Sequence, residues 1–168
     1  MSNSGPLILD DLIPVEMQDR LLEYITTTDF PWFYTPGTLY NREHEDDIFK
    51  FSHPVLMPGG RRFENFDVFF PVLVRLAKHL DLMEFYSTRI YVHMLTSVGR
   101  ELTHPPHTDL TDPGYLSVIY YFNDSDGDTV LYDKLYQDGP PTDLKVAYRI
   151  TPKKGRIVVF NSSRYHSS

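Results

Sequence analysis

Apolar and polar positions change rhythm once along the chain. Up to Leu82 they recur at helical spacing, and after it they fall into short runs rich in Tyr, Val, Ile and Phe. Residues 5–11, "GPLILDD", predict a short strand. The stretch from Leu12 to Asp29 predicts a helix. Met17, Leu21 and Ile25 recur at i, i+4 and i+8, Leu12 and Leu22 flank that stripe, and Pro14 suits a first turn. A second helix is predicted over Asn65–Leu82, where Phe69, Val72, Leu73, Leu76, Ala77 and Leu80 form one apolar face. Asn65 or Asp67 could cap it, Pro71 is tolerable near its start, and His79 beside the stripe reads as structural. Between the helices, "PWFYTPGTLY" and "SHPVLMPGGRRF" read as loops. The run "EHEDD" at 43–47 reads as a solvated face, with His44 and Asp46 on the surface.

Beyond Leu82, strands are predicted in "FYSTRIYVHMLTS", "YLSVIYYFN", "DTVLYD", "LKVAYRIT" and "GRIVVFN". The turn signals "VGRE", "TDPG", "NDSDGD", "DGPPTD" and "PKKG" separate them. Helices first and short strands afterwards suggest an α+β chain, mainly β, with a sandwich or barrel and helices packed outside.

Composition narrows the function classes. The 168 residues suit one domain, and 41% apolar residues are enough for a core. A formal charge of −7 argues against non-specific nucleic-acid binding, which depends on neutralising phosphates. With no Cys, neither disulfides nor thiolate metal sites can form, so any metal must use His and carboxylate ligands. The N-terminal residues lack the basic and apolar regions of a signal peptide, and no apolar run has the length of a membrane span. A cytoplasmic protein without membrane contact is the expectation.

One short segment carries candidate chemistry. In "HPPHTDL", His107 and Asp109 form H-x-D, and residues i and i+2 of an extended backbone point to the same side. The chain ends in "GRIVVFNSSRYHSS", where a buried strand delivers His166 just past its end. Two His and one carboxylate make a facial ligand set that leaves three positions open on an octahedral iron(II). The plainer alternatives are a loop Asp accepting turn hydrogen bonds and a terminal His near a fraying end. Spacing alone leaves both open. His104 is the rival ligand, but two prolines part it from the next His, which puts it at the rim or in a substrate loop. His93 alternates with Tyr91 and Leu95 and reads as a hydrogen-bonded core residue.

The order of these elements resembles the iron(II)- and 2-oxoglutarate-dependent dioxygenases. The prolyl-4-hydroxylase-like branch, including its small phage and marine bacterial versions, is the nearest likeness. The resemblance rests on H-x-D at 107–109, "YYFN" at 120–123, "GDT" at 127–129, "PKKGRIVVF" at 152–160 and then His166. It extends to "LILDDLIPVEMQDRLLEYI" and "FPWFY", which are similar to that branch's helical lead-in. The resemblance implies a double-stranded β-helix (a jelly-roll, cupin-like core) buttressed by N-terminal helices, in a single oxygenase domain over 1–168. It implies iron(II) held by His107, Asp109 and His166, with 2-oxoglutarate and O2 as cosubstrates and ascorbate as an accessory reductant. The reaction implied is hydroxylation of an unactivated C–H in a peptide or small molecule, a peptidyl proline being one expectation. If odd positions of 115–123 face inward, Tyr115, Ser117, Ile119, Tyr121 and Asn123 line the pocket. Tyr121 then stands where relatives bind the 2-oxoglutarate carboxylate. Arg164 is either at the substrate mouth or a solvated loop residue.

The pattern breaks in two places. Relatives place an Arg or Lys for the distal carboxylate on a strand after the second His, and here the sequence stops at Ser168. Relatives also often have a Tyr where this chain has Leu95. A missing last strand is the expectation favoured; the alternatives are a substitute cation at Arg89, Arg149 or Arg156, or a protein that no longer uses 2-oxoglutarate. The competing classes are a cupin-like metalloenzyme that does not use 2-oxoglutarate and a non-catalytic jelly-roll binding module.

Overall fold

A computed structural model describes residues 5–36, 49–96, 104–136 and 142–168. The elements are β1 (Leu7–Leu9), α1 (Val15–Thr26), β2 (Phe33–Pro36), β3 (Phe49–Met57), β4 (Arg61–Arg62) and α2 (Phe66–His79). They continue as β5 (Ile90–Met94), β6 (Leu116–Tyr120), β7 (Thr129–Leu135), β8 (Val146–Ile150), β9 (Ile157–Asn161) and β10 (Arg164–Ser167). Among the described residues the chain is mainly β, with antiparallel sheets and two helices, as the change of rhythm predicts. Neither helix is long and apolar enough to cross a membrane. The chain divides into two compact units, residues 1–18 with 103–168, and residues 19–102.

In the 19–102 unit, β3 pairs with β5 along one edge and with β2 and β4 along the other. A register shift between Pro54 and Leu56 lets the strand carry a proline, which has no N–H for the ladder. His53, Val55 and Leu56 are buried on β3, and α2 buries Phe66, Phe69, Val72, Leu76 and Ala77. The segments expected to be loops are therefore largely strand: β2 lies within 31–40 and most of β3, with β4, within 52–63. Pro54 and the Gly59–Gly60 turn disguised a hairpin. The charge run at 43–47 lies outside the described residues.

The helices are shorter than predicted. Pro14 precedes α1, its carbonyl accepting the Met17 and Gln18 N–H groups. The buried line of α1 is Gln18, Leu21 and Ile25, while Met17 and Leu22 are half-buried. Asn65 sits at the N-cap of α2, but its side chain makes no capping bond and turns to His53 instead. His79 is exposed, so it has no structural role in the apolar face.

The 1–18/103–168 unit holds two three-stranded sheets, β1-β9-β6 and β10-β7-β8. In the first, Ser117 lies opposite Phe160 and Ile119 opposite Val158, so these four share a face. In the second, Leu131 lies opposite both Tyr148 and His166. Leu131, Ile150, Val158 and Phe160 form one buried cluster, with Ile119 and Tyr121 packed on it. Both sheets thus contribute to a single core, and His166 joins its margin through an edge-on contact with Phe160 at 5.0 Å between ring centres. Burial on the first half of β6 follows the predicted alternation, with Ser117 buried and Leu116 and Val118 exposed, whereas Ile119 and Tyr120 are both half-buried.

Candidate metal centre

His107 and His166 form an isolated antiparallel bridge. Each N–H donates to the other's carbonyl, at 2.9 and 2.8 Å. Residues that exchange both bonds stand directly opposite, with side chains on the same side of the sheet. The two imidazoles accordingly lie 4.3 Å apart between ring centres. Asp109 is fixed by a second strap: its N–H donates to the Ser162 carbonyl at 3.1 Å, in the turn between β9 and β10. Backbone hydrogen bonds at two points therefore bring H-x-D to the C-terminal hairpin. The ligand atoms of His107, Asp109 and His166 all lie within 4.8 Å of one another.

The second His is not past a strand's end, as the sequence suggested. It lies on β10, a strand that the pattern "RYHS" did not announce, and it is buried to 7% exposure. Pairing with β7 on one side and His107 on the other explains why it does not fray.

Hydrogen bonds around the imidazoles select one tautomer. His107 Nδ1 is 3.2 Å from the Pro105 carbonyl, and His166 Nδ1 is 3.0 Å from the Arg164 carbonyl. A carbonyl oxygen only accepts, so both Nδ1 atoms carry the proton. In the neutral rings Nε2 then keeps its lone pair, the state a metal-binding histidine needs. His166 Nε2 lies 3.7 Å from Asp109 Oδ2. The same Oδ2 accepts the Ser117 hydroxyl at 2.5 Å, and Ser117 is itself buried. Two neutral nitrogens and one carboxylate, with no sulfur, fit a first-row divalent cation and leave part of its coordination sphere to ligands from solution.

The remaining candidates fall elsewhere. His104 is outside the cluster, its Nδ1 within 2.9 Å of the Ser168 carbonyl and hydroxyl oxygens. His93 bonds Ser52 but is exposed, so it is not a core residue. Asn123 is exposed and bonds the Asp124 carbonyl, so it does not line an interior. Tyr121 lies on the Ser117 face of its strand, roughly 13 Å further along. Burial pushes its phenol up, and its hydroxyl donates to Thr129 Oγ1 at 2.7 Å. Arg156 is committed to Asp10 through two nitrogens, at 2.7 and 3.0 Å. Asp10 in turn is held below the usual carboxylate range by that guanidinium. Arg149 is exposed and lies opposite Val130, so it alternates away from the Leu131 face. Arg164 is buried to 7% exposure, which excludes the solvated-loop reading.

The Ser117–Asp109 bond is a contact at the candidate site that the sequence did not announce. Ser117 was legible as inward-facing, but its partner depends on where the 104–110 segment is strapped. No family model matches the chain, and no curated protein sequence matches it.

Proposed function

We propose that this chain is an iron(II)- and 2-oxoglutarate-dependent dioxygenase that hydroxylates an unactivated C–H bond. The observation that carries the reading is the convergence of His107, Asp109 and His166, with both Nδ1 atoms tied to carbonyls. Bound iron(II) with 2-oxoglutarate and O2 would supply oxidative decarboxylation of the cosubstrate and hydroxylation of the substrate. In this reading the two-sheeted unit is a double-stranded β-helix, and its strands bring together His107, Asp109 and His166, the residues that would hold the metal.

The chain's own residues have distinct tasks. His107 and His166 present neutral Nε2 atoms, and the backbone bridge between them fixes their separation. Asp109 supplies the one anionic ligand, held by Ser117. Tyr121 offers a phenol kept neutral by burial, able to exchange Thr129 for a carboxylate of the cosubstrate. Phe160 and Leu131 keep water from the inner side of His166.

The test is succinate release from 2-oxoglutarate under air with iron(II) and ascorbate. Wild type is expected to release succinate, and His107→Ala and Asp109→Ala are expected to release none above background. Metal binding without succinate release under any substrate panel would refute the 2-oxoglutarate assignment while leaving the metal centre intact.

A further inference from the structure

Arg164 is an arginine with a buried stem and a free edge. It lies two residues before His166 on β10 and is 7% exposed. Its Nη1 donates to the Tyr132 carbonyl at 2.8 Å. No carboxylate pairs with it among the described residues. A guanidinium taken this far out of water is costly unless an anion accompanies it. The buried side-chain polar atoms that lack a partner among the described residues are Asn65 Oδ1 and Tyr120 OH. The free nitrogens of Arg164 therefore keep contact with solvent.

Three features direct that free edge. Residues i and i+2 of one strand share a face, so Arg164 and His166 point the same way, about 6.6 Å apart. The register shift in the β10–β7 pair places Arg164 opposite Leu135 and His166 opposite Leu131, so the extra residues are on β7 and β10 keeps its alternation. Along β7, Arg164 and the Tyr121 contact also lie on opposite sides of His166: Tyr121 bonds Thr129, on the far side of Leu131 from Leu135. With Nη1 occupied, Nε and Nη2 remain as a side-on pair of parallel donors, the geometry that receives both oxygens of one carboxylate.

We infer that Arg164 binds a carboxylate of the molecule to be oxidised, so that the substrate is a small carboxylic acid or a peptide with a free chain end. This rests on the metal-centre reading above and names the substrate class of that same site. Because the residue is almost wholly buried, only a narrow anionic group reaches it. The anion supplies the missing counter-charge and holds the neighbouring aliphatic carbons beside the metal ligands.

The experiment uses the full chain loaded with zinc(II) in place of iron, under 2-oxoglutarate, with binding read by ligand-observed NMR. The probes are the free L-amino acids and a set of dipeptides with free carboxyl ends, each against its carboxamide. The expected result is that at least one acid binds and its amide binds about tenfold or more weakly. That comparison needs no variant. Arg164→Met is expected to bring the acid down to the level of its amide, and Arg164→Lys to recover only part of the difference. Metal affinity and 2-oxoglutarate binding stay unchanged in both variants. Which set responds, amino acids or dipeptides, tells the small acid from the chain end. The inference is overturned if no acid outbinds its amide, or if the preference survives in Arg164→Met. It is equally overturned if the variants lose 2-oxoglutarate instead, which would make Arg164 the cosubstrate's anchor. Loss of zinc in His107→Ala with any of these outcomes shows that the metal-centre reading stands and only the Arg164 assignment has failed.

Discussion

Ser117→Ala removes one hydroxyl from a strand and should weaken a metal site that Ser117 does not itself ligate. Its Oγ lies 2.5 Å from Asp109 Oδ2, and Asp109 keeps 33% of its side chain exposed. Without a metal, water can take the lost donor's place, so the cost to folding is modest, about 0.5–1.5 kcal/mol. With a metal, the carboxylate must hold one orientation, and the loss of such a support costs about 10–100-fold in affinity. That corresponds to about 1.4–2.8 kcal/mol of binding free energy. Anaerobic calorimetric titration with cobalt(II) or iron(II) measures it directly. Asp109→Ala should lose far more, and adding Ser117→Ala to that variant should change nothing further, because the hydroxyl acts only through the carboxylate. Wild-type affinity in Ser117→Ala, or a full additional loss in the double variant, would show that Ser117 does not orient the Asp109 carboxylate.

Other consequences follow from the same packing and electrostatics. Leu131 is 0% exposed between the two sheets, so Leu131→Ala should destabilise by about 2–5 kcal/mol in urea unfolding, and a loss under about 1 kcal/mol would contradict the shared core. Gly155 has φ +80° and a Cβ there would collide with the Gln18 amide, which is buried and bonded to the Ile13 carbonyl. Gly155→Ala should therefore reduce the unfolding free energy, measured in urea, by more than the roughly 1–2 kcal/mol of left-handed strain alone. The Tyr120 hydroxyl is buried with no partner among the described residues, and burial pushes its phenol from 10.0 up to about 12. The folded state thus favours the neutral phenol, a contribution fully present below pH 10.0 and lost as pH rises through about 12. Tyr120→Phe should remove that part of the alkaline loss and leave neutral-pH stability unchanged or higher by up to about 1 kcal/mol.

How much was legible depended on whether a signal was local. The turn-bounded strands after Leu82 and the inward face of β6 follow from alternation and punctuation, which are properties of neighbouring residues. β3 was hidden because its proline and polar residues imitate a loop, and only pairing on both edges makes it a strand. β10 is four residues long and has no pattern of its own; His107 on one side and β7 on the other define it. The α2 cap failed because a tertiary partner, His53, took the Asn65 side chain from its local task. At the candidate site the ligand types and the H-x-D spacing were readable. The tautomers, the Ser117 support and the unpaired edge of Arg164 were not, since each depends on segments distant in sequence meeting through backbone bonds.

The proposed function depends on His107, Asp109 and His166 forming one metal site. Stoichiometric binding of cobalt(II), followed anaerobically by its visible absorption on the full chain, tests it most directly. Wild type is expected to bind one ion per chain, with His107→Ala, Asp109→Ala and His166→Ala each losing tight binding while His104→Ala keeps it. A wild-type chain that binds no ion, or one whose ion survives the loss of any of the three ligands, would contradict it.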